Sequence, residues 1–251
     1  MKLALISDIH ANLQALQACM AHARTQGVTQ WAFLGDMVGY GGNPAQVLDL
    51  IMEAVAAGAW AVQGNHEHAA LHPPAVAAQV GEQGAQWTHA QLTQAHRQFI
   101  EQLPLLALHT PVLLVHASAH QPAHWPYVTN STMAERSLAA AQSIAPDIRY
   151  VLSGHVHQQA LYYLTPTSKL LRFTPQAGVP IPVPMHRQWL AIVGACGQPR
   201  DGDPRAMYAI FDATAATLTF HRVPYDISAA MQAIHRSGMP PAFAQRLEEG
   251  L

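Results

Sequence analysis

The sequence predicts an α/β fold on two observations. Short apolar runs bounded by Gly, Asn or Asp recur through the first two-thirds of the chain, and helix-like stretches separate several of them. The runs are Lys2 to Ser7, Trp31 to Leu34, Trp60 to Gln63, Val112 to Val115 and Tyr150 to Ser153. They are apolar on both alternations. Because successive side chains of a strand point to opposite faces, such runs suit strands covered on both sides.

Taken in order, Asn12 to Arg24 places Leu13, Leu16, Ala18 and Met20 at helical intervals and reads as the first crossover helix. Pro44 to Ala57 reads as the second, with Pro44 tolerated in a first turn, where its missing N–H has no partner to lose. After Pro73 and Pro74 the stretch 75–103 lacks strand character and carries Trp87, Leu92, Phe99 and Leu103 at roughly helical spacing, so a helical insertion is expected after the third strand. Beyond His157 the chain turns β-rich, with strands expected at Leu161 to Leu164, Leu170 to Phe173, Trp189 to Val193, Met207 to Asp212 and Thr217 to Val223. Pro-rich Thr174 to Pro184 reads as a loop and Asp226 to Arg236 as a last helix. With 251 residues and no repeat or linker, one domain over 1–251 is expected.

Each of the five early strands is followed at once by side chains that bind metals or move protons. These are Asp8 and His10, then Asp36, then Asn65 and His66, then His116, then His155 and His157. Open α/β sheets bind ligands at the carboxyl ends of their strands, so the five endings are expected to meet at one edge. His155 and His157 share a face of extended chain. Taken singly, Asp8 and His10 could form a polar turn, Asn65 could cap a helix, and His116 could be a core histidine; the convergence is what favours a site.

Two carboxylates, one amide oxygen and four imidazoles make a mixed N/O donor set without thiolate, suited to Mn, Fe or Zn rather than Ca. Seven ligands exceed one tetrahedral ion. If one carboxylate, most naturally Asp36, bridges two divalent or trivalent ions, three ligands remain for each. Ions about 3.5 to 4 Å apart clamp a phosphoryl group and lower the pKa of water from about 15.7 toward 7, so attack by a bridging hydroxide is the expected chemistry. His66, beside Asn65 but unable to reach the same metal easily, is the expected general acid, with Glu67 as its orienting partner. Asn12, Tyr40 and Arg200 are expected substrate contacts, Arg200 because a guanidinium matches phosphate bidentately. His68, His120 and His124 are further candidates near the site.

Composition narrows the partners. Charged residues make up 11% and the formal net charge is −2, which offers no basic field for a long nucleic-acid duplex. Cys19 and Cys196 form no CxxC unit, so a reducing, cytoplasmic setting and no disulfide framework are expected. Asp8 ends the N-terminal apolar run before a signal region forms, and Leu103 to Ala117 is broken by Pro104 and Pro111, so no membrane segment is expected.

The series Asp8-Ile9-His10, Gly35-Asp36, Gly64-Asn65-His66-Glu67, His116 and Gly154-His155-Val156-His157 resembles the calcineurin-like metallophosphoesterases in order and spacing. The stretches Gly35 to Gly41 and Gly197 to Arg205 are similar to the small prokaryotic branch labelled phosphodiesterase or diadenosine-tetraphosphatase-like. The resemblance implies a four-layer αββα sandwich. It also implies one metal held by Asp8, His10, Asp36 and His157 and a second held by Asp36, Asn65, His116 and His155. The sequence departs from the family at Ala11, where Gly is frequent, at Glu67, where Asp is usual, and at Ile192 to Ala195, where Asn-Pro-Gly-Ser is common. The expected activity is hydrolysis of a small phosphodiester, nucleotide or phosphomonoester. Protein serine/threonine phosphatase activity and a non-catalytic scaffold of the same fold are the alternatives; a scaffold usually lacks ligands or the proton donor, and here both are present.

Overall fold

A computed structural model describes residues 1–165, 167 and 169–251. In chain order the elements are β1 (Lys2–Ile6), α1 (Leu13–Thr25), β2 (Gln30–Phe33), α2 (Pro44–Ala56), β3 (Trp60–Ala61), α3 (Asn65–Leu71), α4 (Val80–Gln91) and α5 (Gln94–Gln102). There follow β4 (Leu106–His109), β5 (Val112–Val115), α6 (Ser131–Ile144), β6 (Tyr150–Ser153), β7 (Gln159–Leu164) and β8 (Leu170–Phe173). The chain closes with β9 (Pro180–Pro182), β10 (Gln188–Val193), β11 (Ala206–Asp212), β12 (Thr217–Val223), α7 (Ile227–Ser237) and α8 (Ala242–Glu249).

The strands form two six-stranded mixed sheets, ordered β3-β2-β1-β11-β12-β9 and β4-β5-β6-β10-β7-β8. Alternation within the strands builds the layers. Leu3 and Leu5 of β1 pack between the sheets with Leu114, Leu152, Ala191 and Phe220, while Ala4 and Ile6 pack outward with Leu16 and Cys19 of α1 and Val47 and Ile51 of α2. On the second sheet Leu114 and Leu152 face inward, and Leu113 and Val151 pack against Ala134, Leu138 and Ala141 of α6. The αββα order thus follows from apolar residues on both alternations of the central strands.

Several sequence expectations change. The five strand ends do not belong to one sheet edge: β1, β2 and β3 lie in the first sheet and β5 and β6 in the second. The loop 174–184 contains β9, which pairs with β12 at the sheet margin, where a missing proline N–H is tolerated. The insertion 75–103 holds two helices, and α8 follows the helix expected to be last. It packs on α7 through Ile234, Phe243 and Leu247. Cys19 and Cys196 come together, buried and free, with their sulfurs 3.7 Å apart. Among the described residues no helix is long and apolar enough to cross a membrane.

Candidate metal centre

The loops after β1 and β2 are zipped together by the amides of Asp8, His10 and Ala11, which donate to the carbonyls of Gly35, Asp36 and Met37 at 3.1, 2.9 and 2.8 Å. The second sheet joins through Gly154 N–H to His116 O at 2.8 Å, and Cys196 and Gly197 donate to Ser7 and Asp8. This lacing imposes left-handed backbone on Asp8, His10, Asp36, His155 and His157, with φ between 49° and 69°. For non-glycine residues such a conformation costs about 1–2 kcal/mol each. Ala11 also sits there, at φ 52°, a conformation that glycine adopts without cost.

Each carboxylate has one oxygen pinned and one free. Asp8 Oδ2 accepts from His155 N–H at 2.8 Å, and Asp36 Oδ1 accepts from His66 N–H at 2.9 Å. Asp8 Oδ1 is buried without a hydrogen-bond donor, 3.2 Å from His157 Nε2. Asp36 Oδ2 lies 3.8 Å from His10 Nε2 and 3.2 Å from His116 Nε2, between the two groups of imidazoles.

Hydrogen bonding fixes the imidazole tautomers. Nδ1 of His10, His116 and His157 faces the carbonyls of Val38, Leu34 and Gln198 at 3.2, 2.8 and 2.6 Å. A carbonyl only accepts, so each Nδ1 carries a hydrogen, and such a ring when neutral presents its lone pair at Nε2. His10 Nε2 then faces His157 Nε2 at 3.1 Å, and His116 Nε2 faces Asn65 Oδ1 and His155 Nδ1, both at 3.1 Å. The unpaired Asp8 Oδ1 and the neutral His10 ring are buried acceptors facing one space, which fits a cation, and carbonyl-oriented imidazoles are the usual arrangement of metal-binding histidine. The donor atoms fall into two groups within 4.8 Å, Asp8, His10, Asp36 and His157, and Asp36, His116 and His155. Asn65 Oδ1 joins the second through His116. All seven predicted ligands are therefore brought together.

Burial lowers the His10 pKa well below 6.5, helped by His66 and His157, so this ring stays neutral. Burial likewise takes His155 down to about 4, aided by the charge of His116. Burial opposes ionisation of Asp36, but His116 and His66 hold its pKa well below 3.8. At His116 burial favours the neutral ring, yet the Asp36 carboxylate, 3.2 Å from Nε2, raises the pKa to about 9.

The expected role of Glu67 is corrected. Its buried carboxylate accepts from the amides of Asp36, Met37, Val38 and Gly64 at 2.7 to 3.1 Å, stapling α3 to the Asp36 loop rather than orienting His66. His66 packs instead against Tyr40, with ring centroids 4.4 Å apart, and edge-on to His10 at 4.8 Å. Gly39, at φ 88°, is required there because a Cβ would occupy the place of the His66 ring. Burial pushes the His66 pKa down.

Asn12 also proves structural. Its side-chain oxygen caps α1 at Ala15 N–H, and its amide nitrogen donates to Gly197 O and Tyr225 Oη, leaving no free hydrogen for a substrate. Arg200 donates to Gln198 Oε1 and stands 5.8 Å over the Tyr40 ring, so these two stay together at the rim. His68 packs beside His72 and Trp125. Sequence reasoning missed Gln198, whose carbonyl orients His157, and Tyr127, whose ring stacks on His155. Gln198 lies within a motif already singled out; Tyr127 carries no sequence signal.

A model of the calcineurin-like phosphoesterase superfamily domain matches residues 1–216. Uncharacterized protein MJ0912 of Methanocaldococcus jannaschii is 29% identical over 251 residues, covering 98% of this chain and 96% of its own length. The crystal structure of a metallophosphoesterase from Sphaerobacter thermophilus superposes with a TM-score of 0.87 at 33% identity, over 100% of this chain and 99% of that one. Hypothetical protein PH1004 from Pyrococcus horikoshii shares the fold, with a TM-score of 0.76 at 15% identity over 100% and 98% of the two chains.

Proposed function

The chain belongs to the calcineurin-like phosphoesterase superfamily, and from that premise we propose that it is a dinuclear metal-dependent hydrolase of small phosphoesters. The observation that carries this reading is Asp36 Oδ2, placed between His10 Nε2 and His116 Nε2 with a separate donor group on either side. When bound, two Mn, Fe or Zn ions supply Lewis acidity toward the phosphoryl oxygens and lower the pKa of coordinated water.

The protein residues do the rest. Asp8, His10, Asp36 and His157 would hold one ion, and Asp36, Asn65, His116 and His155 the other. Amide bonds to Asp8 Oδ2 and Asp36 Oδ1 keep the opposite oxygens aimed inward, so little reorganisation accompanies loading. His66 donates a proton to the departing oxygen. Its Nδ1 edge packs on Gly39, which leaves Nε2 for that task. Arg200, steadied by Gln198 and Tyr40, offers its guanidinium to the phosphate. Retention of every ligand and of His66 favours an enzyme over a scaffold.

The test is hydrolysis of p-nitrophenyl phosphate, its bis ester and dinucleoside polyphosphates by protein loaded with Mn, Fe, Zn or Mg. Turnover of at least one ester, lost in Asp36→Asn, is expected. Inactivity of the metal-replete protein toward all of them contradicts the proposal.

A further inference from the structure

Tyr127 stands apart from the other exposed apolar side chains. Among the described residues, the large hydrophobics with high exposure are aliphatic or methionine except for Tyr127, which is 52% exposed. One face of its ring lies on His155, with centroids 3.9 Å apart and planes inclined by 23°. About half of the residue's surface stays open to solvent. A half-exposed flat aromatic ring thus rests directly on a predicted metal ligand.

The platform is held in place. Val128, the next residue, is buried in the core beneath α6. The approach to it carries two left-handed residues, Gln121 at φ 51° and Trp125 at φ 44°, on either side of the short 3-10 turn Pro122–His124. Strained backbone of this kind persists only where surrounding structure fixes it, and it is concentrated at ligand-clamping segments.

From this geometry we infer that Tyr127 is a specificity-determining residue that stacks a planar ring carried by the ester, so that nucleoside phosphates are preferred over sugar phosphates with the same reacting bond. The inference rests on the phosphoesterase reading, with Arg200 at the phosphate and Tyr127 under the base. Base-on-aromatic stacking is tolerant of base identity because every base offers a π face. Selectivity for planarity rather than for one base is therefore expected.

The test is calorimetric binding to Mn-loaded protein, using non-hydrolysable phosphonates of adenosine 5′-monophosphate and ribose 5-phosphate in which CH2 replaces the ester oxygen. The adenosine analogue is expected to bind about tenfold more tightly, a difference of about 1.4 kcal/mol. Tyr127→Ala is expected to bring that ratio within about twofold, and Tyr127→Phe and Tyr127→Trp to keep it, since the ring and not the hydroxyl does the stacking. Equal affinities in the parent protein, absence of binding by either analogue, or an undiminished ratio in Tyr127→Ala overturns the inference. A separate assay of p-nitrophenyl phosphate, its bis ester and dinucleoside polyphosphates on the same loaded protein isolates the cause: turnover of any of them without base discrimination sinks only the stacking role, whereas turnover of none sinks the phosphoesterase reading.

Discussion

His10 and His157 present their Nε2 atoms to each other 3.1 Å apart, while each commits Nδ1 to a backbone carbonyl. With neither ion nor proton between them, the two lone pairs and the free oxygen of Asp8 confront one another in a buried space.

Metal should therefore stabilise the fold, and relief of the confrontation should do so in part without metal. Mn at 100 times its dissociation constant adds about 2.7 kcal/mol by mass action. In thermal unfolding, the parent protein gains Tm on Mn addition and loses it on chelation. His157→Leu loses that gain yet melts no lower than the parent when both are metal-free. A metal-free His157→Leu that melts well below the metal-free parent would show that the two rings attract.

Proton donation by His66 predicts a dependence on the leaving group. His66→Ala should lower kcat by about 10²–10⁴ for an alkyl ester, whose alkoxide needs a proton. The loss should be far smaller for a p-nitrophenyl ester, which departs as a stable anion. Equal losses on both esters would assign His66 to binding or packing.

Glu67 binds four backbone amides, and Glu67→Gln retains one side-chain acceptor oxygen. The amides of Asp36 and Gly64 that face Oε2 lose their acceptor, at a cost of about 1–3 kcal/mol each. A fall in Tm together with weaker Mn binding is expected, because the Asp36 loop loosens. Unchanged Tm and Mn affinity would remove the stapling role.

His221 sets a pH dependence away from the metal centre. Its ring stacks on Tyr208 with centroids 4.9 Å apart, and its Nε2 is buried without a partner. Burial lowers its pKa to about 4, helped by the charge of His22. The unfolded chain takes up the proton near 6.5, so this contribution to stability is complete above pH 6.5 and is lost as pH falls toward 4. His221→Phe keeps the stack without titrating, and its Tm should fall less than the parent's between pH 6.5 and 4. Parallel pH profiles for the two proteins would contradict this assignment.

The predicted ligands were legible because each follows an apolar strand directly, and strand ends are short in sequence and fixed in space. Val112 to Val115 and Tyr150 to Ser153 coincide with the observed strands, leaving His116 and Gly154-His155 at their ends. The division of those strands between two sheets was not visible in the individual runs, because apolar character on both alternations says only that each strand is covered, not by what. Nor could spacing reveal the left-handed backbone at Asp8, His10 and Asp36, which is imposed by hydrogen bonds between loops distant in sequence. Glu67 and Asn12 sit beside the site and have the right chemistry for it, yet four backbone amides take up the Glu67 oxygens, and Ala15, Gly197 and Tyr225 take up the Asn12 amide group. Adjacency to a motif does not distinguish a residue that meets substrate from one that holds the motif in shape.

Anomalous diffraction from crystals grown with Mn tests the central claim most directly. Two peaks are predicted about 3.5–4 Å apart, one among Asp8, His10, Asp36 and His157 and one among Asp36, Asn65, His116 and His155, with the Asp36 carboxylate between them. A single peak, or none at saturating Mn, would contradict the two-ion account.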